Sequence, residues 1–118
     1  MSYTNGLDNP ELYFQVKTYT GTGSSQSITF DGSENMSPNF VWIKCRDASK
    51  DHMIFDTVRG VQKSLRANGN NLEDTGTDFL SSFDSDGFTA GGNGKTNGGS
   101  STYVAWNWVE SATAGFDI

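Results

Sequence analysis

Few side chains in this sequence have the types and spacing that catalysis requires. Nucleophilic catalysis pairs a nucleophile with a base, and the sequence offers one histidine, His52, beside Asp51 and ahead of the apolar run 53–55. A structural zinc site usually takes four Cys or His ligands, whereas Cys45 and His52 supply two. A glycosidase or esterase would need a close carboxylate pair or a triad. We therefore expect no enzyme, no catalytic residue, no metal and no cofactor.

The charged side chains suggest a weak cation site and an ion pair. Asp84 and Asp86 stand two residues apart before Gly87, as in the first part of a calcium loop, but the closing Glu of an EF-hand is absent. We favour the competing interpretation, a hairpin turn in which Gly87 takes the positive φ. Asp56 and Arg59 stand three residues apart at a strand end and predict a structural ion pair. In the alternative, Arg59 binds a ligand anion.

Tryptophan, tyrosine and amide side chains supply the parts of a carbohydrate site. Such a site combines an exposed aromatic platform with planar polar groups at a loop mouth. The chain has three Trp and four Tyr. Trp42 is the candidate platform, because alternation within 40–46 separates it from Val41, Ile43 and Cys45, which form the predicted core side. The same composition is typical of a β-sandwich with aromatic core residues, so both interpretations stay open.

Short strands separated by turns must position these residues. Only 34% of the residues are apolar, which suits strands in which every second side chain is buried. We predict an all-β fold, a single-domain antiparallel β-sandwich of jelly-roll or concanavalin-like type over residues 1–118. Eight runs are predicted to be strands: 13–20, 27–30, 40–46, 52–56, 64–67, 79–82, 88–90 and 102–109.

Three less regular segments complete the predicted domain. Residues 1–12 form an N-terminal arm and residues 110–118 form a C-terminal tail. The glycine-rich segment 91–101 is predicted to be a mobile loop, because ordering so many glycines costs backbone entropy.

The predicted core consists of apolar side chains in the strand-like runs. In the last run, Val104, Trp106 and Trp108 share one face, and three bulky side chains in line favour a core role. The full predicted set is Val41, Ile43, Phe55, Phe83, Phe88, Trp106 and Trp108.

Charge and hydropathy exclude several classes of partner. The net charge of −6 disfavours a nucleic-acid backbone or an anionic membrane as partner. No apolar run approaches the roughly 20 residues of a membrane span, and the first residues lack the pattern of a signal peptide. We expect a soluble protein that binds no nucleic acid and does not insert into a membrane. The single cysteine, Cys45, cannot form an intrachain disulfide.

Five ordered motifs give the sequence a resemblance to a known family. They are residues 19–29 (YTGTGSSQSIT), 38–44 (PNFVWIK), His52 with 55–61 (FDTVRGV), 82–89 (SFDSDGFT) and 103–108 (YVAWNW). Together they resemble an uncharacterised domain of tailed-bacteriophage proteins, including those of marine phages. The sequence departs from that pattern at Cys45 and at Asn107. The resemblance implies a concanavalin-like or SPRY-like β-sandwich within a virion-associated protein, and it supplies no catalytic residues.

Two functional hypotheses follow. In the first, the chain is a phage virion structural or surface protein, a capsid decoration or a head or tail fibre subunit. It would be located in the virion and act by contacts with other virion proteins, either as a homo-oligomer or docked on the capsid or tail. In the second, it is a carbohydrate-binding module that mediates adhesion to a host glycan.

Overall fold

Nine strands follow one another over residues 9–118, the part of the chain that the computed structural model describes. A short 3-10 helix (Pro10–Leu12) precedes them, with the Asn9 side chain accepting a hydrogen bond from the Glu11 N–H. The strands are β1 (Phe14–Thr20), β2 (Gln26–Thr29), β3 (Phe40–Cys45), β4 (Met53–Asp56), β5 (Lys63–Arg66), β6 (Asp74–Thr75), β7 (Leu80–Asp84), β8 (Gly87–Ala90) and β9 (Thr102–Trp108).

The strands form two antiparallel sheets. The large sheet has six strands in the order β1-β9-β3-β4-β5-β6, and the small sheet has three in the order β2-β8-β7. All-β architecture and antiparallel pairing are therefore confirmed, and the two sheets enclose one core as in a β-sandwich. The one strand missing from the sequence prediction is β6, which has only two residues and no hydrophobic pattern. No helix in the described part of the chain is long and apolar enough to span a membrane.

The core lies between the sheets and follows the alternation of the strands. On β3, Val41, Ile43 and Cys45 are fully buried, as predicted, and Phe40, Trp42 and Lys44 point the other way. Phe55 of β4 and Phe88 of β8 are also fully buried. Phe83, another predicted core residue, is half-buried and packs against this cluster.

The core prediction is wrong for Trp106 and Trp108. On β9 the side chains that face the small sheet are Tyr103, Ala105 and Asn107, all fully buried, so the two tryptophans lie on the opposite side, half-buried. The pairing of β9 with β3 explains this, because cross-strand partners share a face and Ile43, a core residue, is opposite Ala105. Ala105 belongs to the same buried cluster as Ile28, Leu80 and Phe88 of the small sheet. Bulk alone does not decide which side of a strand is buried.

The glycine-rich loop 91–101 is densely hydrogen-bonded, which argues against the predicted mobility. Asn97 is fully buried, and its Nδ2 donates to the Ser24 carbonyl at 2.6 Å. The Gly98 N–H donates to the Tyr103 Oη at 2.7 Å. Further bonds join Thr96 Oγ1 to the Phe79 carbonyl, Tyr19 Oη to the Thr96 carbonyl and Tyr103 Oη to the Gly94 carbonyl. These contacts offset the ordering entropy that the glycine content implied.

The predicted C-terminal tail folds back against the large sheet. Ser111 and Phe116 form an isolated β-bridge, and the Phe116 ring stacks on Trp108 with centroids 6.0 Å apart. Of the predicted N-terminal arm, residues 1–8 lie outside the described residues, and the remainder contains the 3-10 helix.

Candidate contact surface

The side of the large sheet that points away from the small sheet carries a continuous set of apolar side chains. We call this side the outer face. Val16 is 44% exposed and Phe14 is 36% exposed, and the others are half-buried. The apolar members are Phe14 and Val16 of β1, Val104, Trp106 and Trp108 of β9, Phe40 and Trp42 of β3, Ile54 of β4 and Leu65 of β5.

Strand register aligns five of these side chains into one row across the sheet. Val16 is opposite Trp106, Trp106 is opposite Trp42, Trp42 is opposite Ile54, and Ile54 is opposite Leu65. We call this set the central row. Directly opposed side chains on one face lie close enough to touch, so the row forms an apolar band over five adjacent strands.

A shallow groove of about 280 Å³ lies on this band and is lined by Trp42, Trp106 and Trp108. The rings of Trp42 and Trp106 meet edge to face, with centroids 5.7 Å apart. The Trp42 Nε1 is shielded from solvent and has no acceptor among the described residues. The groove therefore presents apolar ring surface, and the indole N–H of Trp42 is not available to a ligand.

Four aromatic rings close one end of the outer face. Trp108 packs against Phe14 at 4.9 Å and against Phe40 at 5.2 Å between centroids, and Phe116 of the C-terminal turn contacts both Phe40 and Trp108. Tilted and edge-to-face ring pairs of this kind hold each other in place. This end of the face is consequently pre-organised.

The predicted pair of Asp56 and Arg59 lies at the corner after β4. Arg59 Nε is 3.0 Å from Asp56 Oδ2, and the Arg59 backbone N–H donates to Asp56 Oδ1 at 2.7 Å. Arg59 Nη1 is also 3.1 Å from Glu73 Oε2. Because two carboxylates already neutralise the guanidinium, these contacts favour the structural role over the binding of a ligand anion.

The weak cation candidates, Asp84 and Asp86, use their carboxylates within the protein. Asp84 accepts hydrogen bonds from the Ser82 and Thr89 hydroxyls at 2.7 and 2.8 Å. Asp86 accepts from the Met36 N–H at 2.9 Å. The segment is the hairpin turn between β7 and β8 that the sequence favoured, with Gly87 at a φ of 146°.

The single histidine lies beside the outer face. The His52 ring is 6.2 Å from the Trp42 ring between centroids. Its neighbour Asp51 is held by Lys95 at 3.1 Å and by Arg66 at 3.3 Å. The hydrogen bond from the Lys95 ammonium is the main cause that lowers the pKa of Asp51. Asp51 is thus part of an ion-pair network that joins the glycine-rich loop to β5.

Sequence reasoning found Trp42 but missed the rest of the outer face. Lys44, which alternates with Trp42, signalled that this side of β3 is not the core. On β9 no charged residue marks either side, and on β1 the polar residues Gln15 and Lys17 occupy the inward side. The signal that would have identified the face is the pairing of β9 between β1 and β3, which a single sequence does not display.

The fold and this face define a β-sandwich domain with an apolar aromatic outer face. Within residues 9–118, no group of three or more His, Cys, Asp or Glu side chains is placed to hold a metal ion. The chain belongs to the family of the domain of unknown function DUF7483, which matches residues 9–117. No curated protein and no solved structure matches the chain.

Proposed function

We propose that this domain is a structural or surface component of a phage virion that acts by protein–protein contacts made through its outer face. The proposed mode of action rests on the central row. Its two tryptophans and three aliphatic side chains are incompletely covered by the rest of the domain. Single exposed apolar residues are ordinary, whereas a contiguous apolar patch of several hundred Å² marks an interaction site.

The chemistry of the groove favours a protein partner over a sugar. A glycan site needs polar groups that converge on the hydroxyls of the ligand. Here the groove is lined by Trp42, Trp106 and Trp108, and the Trp42 N–H is shielded. Aromatic side chains are enriched at the centre of protein interfaces, where apolar groups of the partner replace water.

The assignment to a virion rests on the resemblance of the five sequence motifs to tailed-phage proteins. It makes capsid decoration and head or tail fibre subunits the candidate locations. The motif at residues 38–44 contributes Phe40 and Trp42 to the outer face, and the motif at 103–108 contributes Trp106 and Trp108. Two of the five motifs that carry the resemblance therefore contribute to the proposed contact surface.

Mass spectrometry of purified particles of the phage that encodes this chain tests the proposal. We expect the chain to copurify with the particles. The particles are then treated with an amine-reactive cross-linker. Lys63 lies on the outer face, whereas Lys17 points inward from β1 and pairs with Asp31 at 3.2 Å. Lys63 should therefore be joined to another virion chain more often than Lys17. Absence of the chain from purified particles would contradict the virion assignment.

The second candidate function is binding of a host glycan, which the exposed ring surface of the tryptophan groove favours. A glycan array that includes host-envelope polysaccharide distinguishes it. A purely architectural domain should bind nothing on the array. Leu72→Ala is the control, because Leu72 is an 89% exposed loop residue outside the outer face. The glycan function would be favoured if the wild type binds, Trp42→Ala does not bind and Leu72→Ala still binds.

A further inference from the structure

The central row has the geometry of a self-complementary surface. It runs straight across five paired strands and consists of Val16, Trp106, Trp42, Ile54 and Leu65. A two-fold axis along this row would place the row of one copy on the same row of another. Apolar side chains would then meet apolar side chains along its whole length, which is how two sheets pack face to face about 10 Å apart.

The charges on the outer face permit such a contact in an acidic protein. The chain carries a net charge of −6, yet the solvent-facing strand positions of the outer face carry only two charged side chains, Lys44 and Lys63, within the described residues. Asp56 ends β4 on this side, but it is 3% exposed and paired with Arg59. Two copies stacked through this face would therefore oppose no exposed carboxylates of the strands, and the exposed Glu110 and Asp117 of the C-terminal turn would lie beside the aromatic end.

The two lysines also avoid each other in this arrangement. Lys44 lies one row beyond Trp42, in line with Val104, whereas Lys63 lies one row to the other side of the central row, as Phe40 does. The proposed two-fold axis exchanges these flanking rows. Lys44 of one copy would then face the aromatic end of the other, where a cation over aromatic rings is favourable.

The size of the face is sufficient for a specific, weak dimer. Five strands spaced about 4.8 Å apart and three rows spaced about 6.8 Å apart give a face of roughly 24 by 20 Å. Two such faces bury about 1,000 Å² in total, which is close to the lower limit for a specific interface.

We propose that two copies of this chain stack through their outer faces to form a symmetric dimer. This inference rests on the proposed function, because it names the first partner of the same contact surface. The dimer would bury both tryptophan grooves. It would not use the small sheet of each copy or the outer edge of β1, which pairs with no further strand among residues 9–118.

Sedimentation velocity over a concentration series up to about 1 mM tests the proposal, since a dimer of micromolar to submillimolar affinity is populated in that range. Val16→Glu places a carboxylate on the central row at an exposed position. Thr29→Glu is the matched control, because it adds the same group at an exposed strand position of the small sheet. We expect the wild type and Thr29→Glu to dimerise alike, and Val16→Glu to weaken the dimer about tenfold or more, because an unpaired carboxylate would be desolvated in the contact.

A strictly monomeric wild type at about 1 mM, or equal effects of the two glutamate variants, would overturn the dimer. The particle experiment then separates the two proposals. If the chain is monomeric alone but Lys63 cross-links to a different virion protein, the dimer fails and the proposed function stands. If the chain is dimeric but absent from particles, the virion assignment fails and the dimer stands.

Discussion

The two sides of β9 differ in burial although they belong to the same seven-residue strand. Tyr103, Ala105 and Asn107 are fully buried, whereas Trp106 and Trp108, the two largest side chains of the strand, are only half-buried. The difference comes from what lies above each side. The small sheet covers one side, and within residues 9–118 the C-terminal turn covers part of the other. The bulkiest residues of a strand can therefore lie on a surface when the residues on its other side pack against a second sheet.

Truncation of a ring on the inner side should give the largest effect. Phe55→Ala removes a fully buried ring between the sheets, and we expect it to lower the free energy of unfolding by roughly 3–5 kcal/mol. Phe14→Ala is the matched control on the outer side, where the ring is 36% exposed, and it should cost about 1 kcal/mol. Urea denaturation of both variants measures the difference. Equal losses would remove the distinction between the two sides.

A smaller effect is expected from the inner hydroxyl that holds the glycine-rich loop. Tyr103→Phe removes the acceptor of the Gly98 N–H and the donor to the Gly94 carbonyl, both at 2.7 Å. We expect a loss of about 1–3 kcal/mol, because the Gly98 N–H and the Gly94 carbonyl would lose their hydrogen bonds in a part-buried site. Hydrogen exchange should show faster exchange within 91–101. Unchanged exchange there would mean that the loop is held by other contacts.

The buried side of a strand could be predicted from the sequence on β3 but not on β9. On β3 the alternation within 40–46 predicts Val41, Ile43 and Cys45 as the core side, and their burial confirms it. On β9 the prediction that the tryptophans face inward is wrong, because the pairing with β3 places Ala105 on the core side. The hydrogen bond from Asn97 to Ser24 spans 73 residues, so no local pattern could have shown which contacts hold the loop.

Trp106→Ala measures how much a half-buried ring of the outer side stabilises the domain. The ring is half-buried and contacts Trp42 at 5.7 Å between centroids, so we expect a loss of about 1–2 kcal/mol in the free energy of unfolding of the isolated domain. A loss as large as that of Phe55→Ala would show that Trp106 belongs to the core. Far-ultraviolet circular dichroism should remain that of the wild type.

The smallest effect concerns the ion pairs beside the outer face. The Lys95 ammonium lowers the pKa of Asp51 in the folded protein. The Asp51 carboxylate therefore stabilises the fold at pH values above the pKa of an unfolded aspartate, about 3.9. This contribution is lost as the pH falls through the lower pKa of Asp51 in the folded state. Asp51→Asn should therefore lower the melting temperature slightly at pH 7 and not at about pH 2. The exposed Glu34, changed to Gln, serves as control. The same melting difference at both pH values would show that the effect is not electrostatic.

All three tryptophans of the chain lie on the outer face, so their fluorescence reports on this face alone. The most direct test is acrylamide quenching of tryptophan emission in the dilute protein, in the concentrated protein and in a mixture with disassembled virion proteins. We expect partial quenching in the dilute sample, because the rings are half-buried, and weaker quenching with a shift to shorter wavelength once a partner covers the face. Tryptophans that are already shielded in the dilute protein, or that stay equally quenchable in all three samples, would contradict the account.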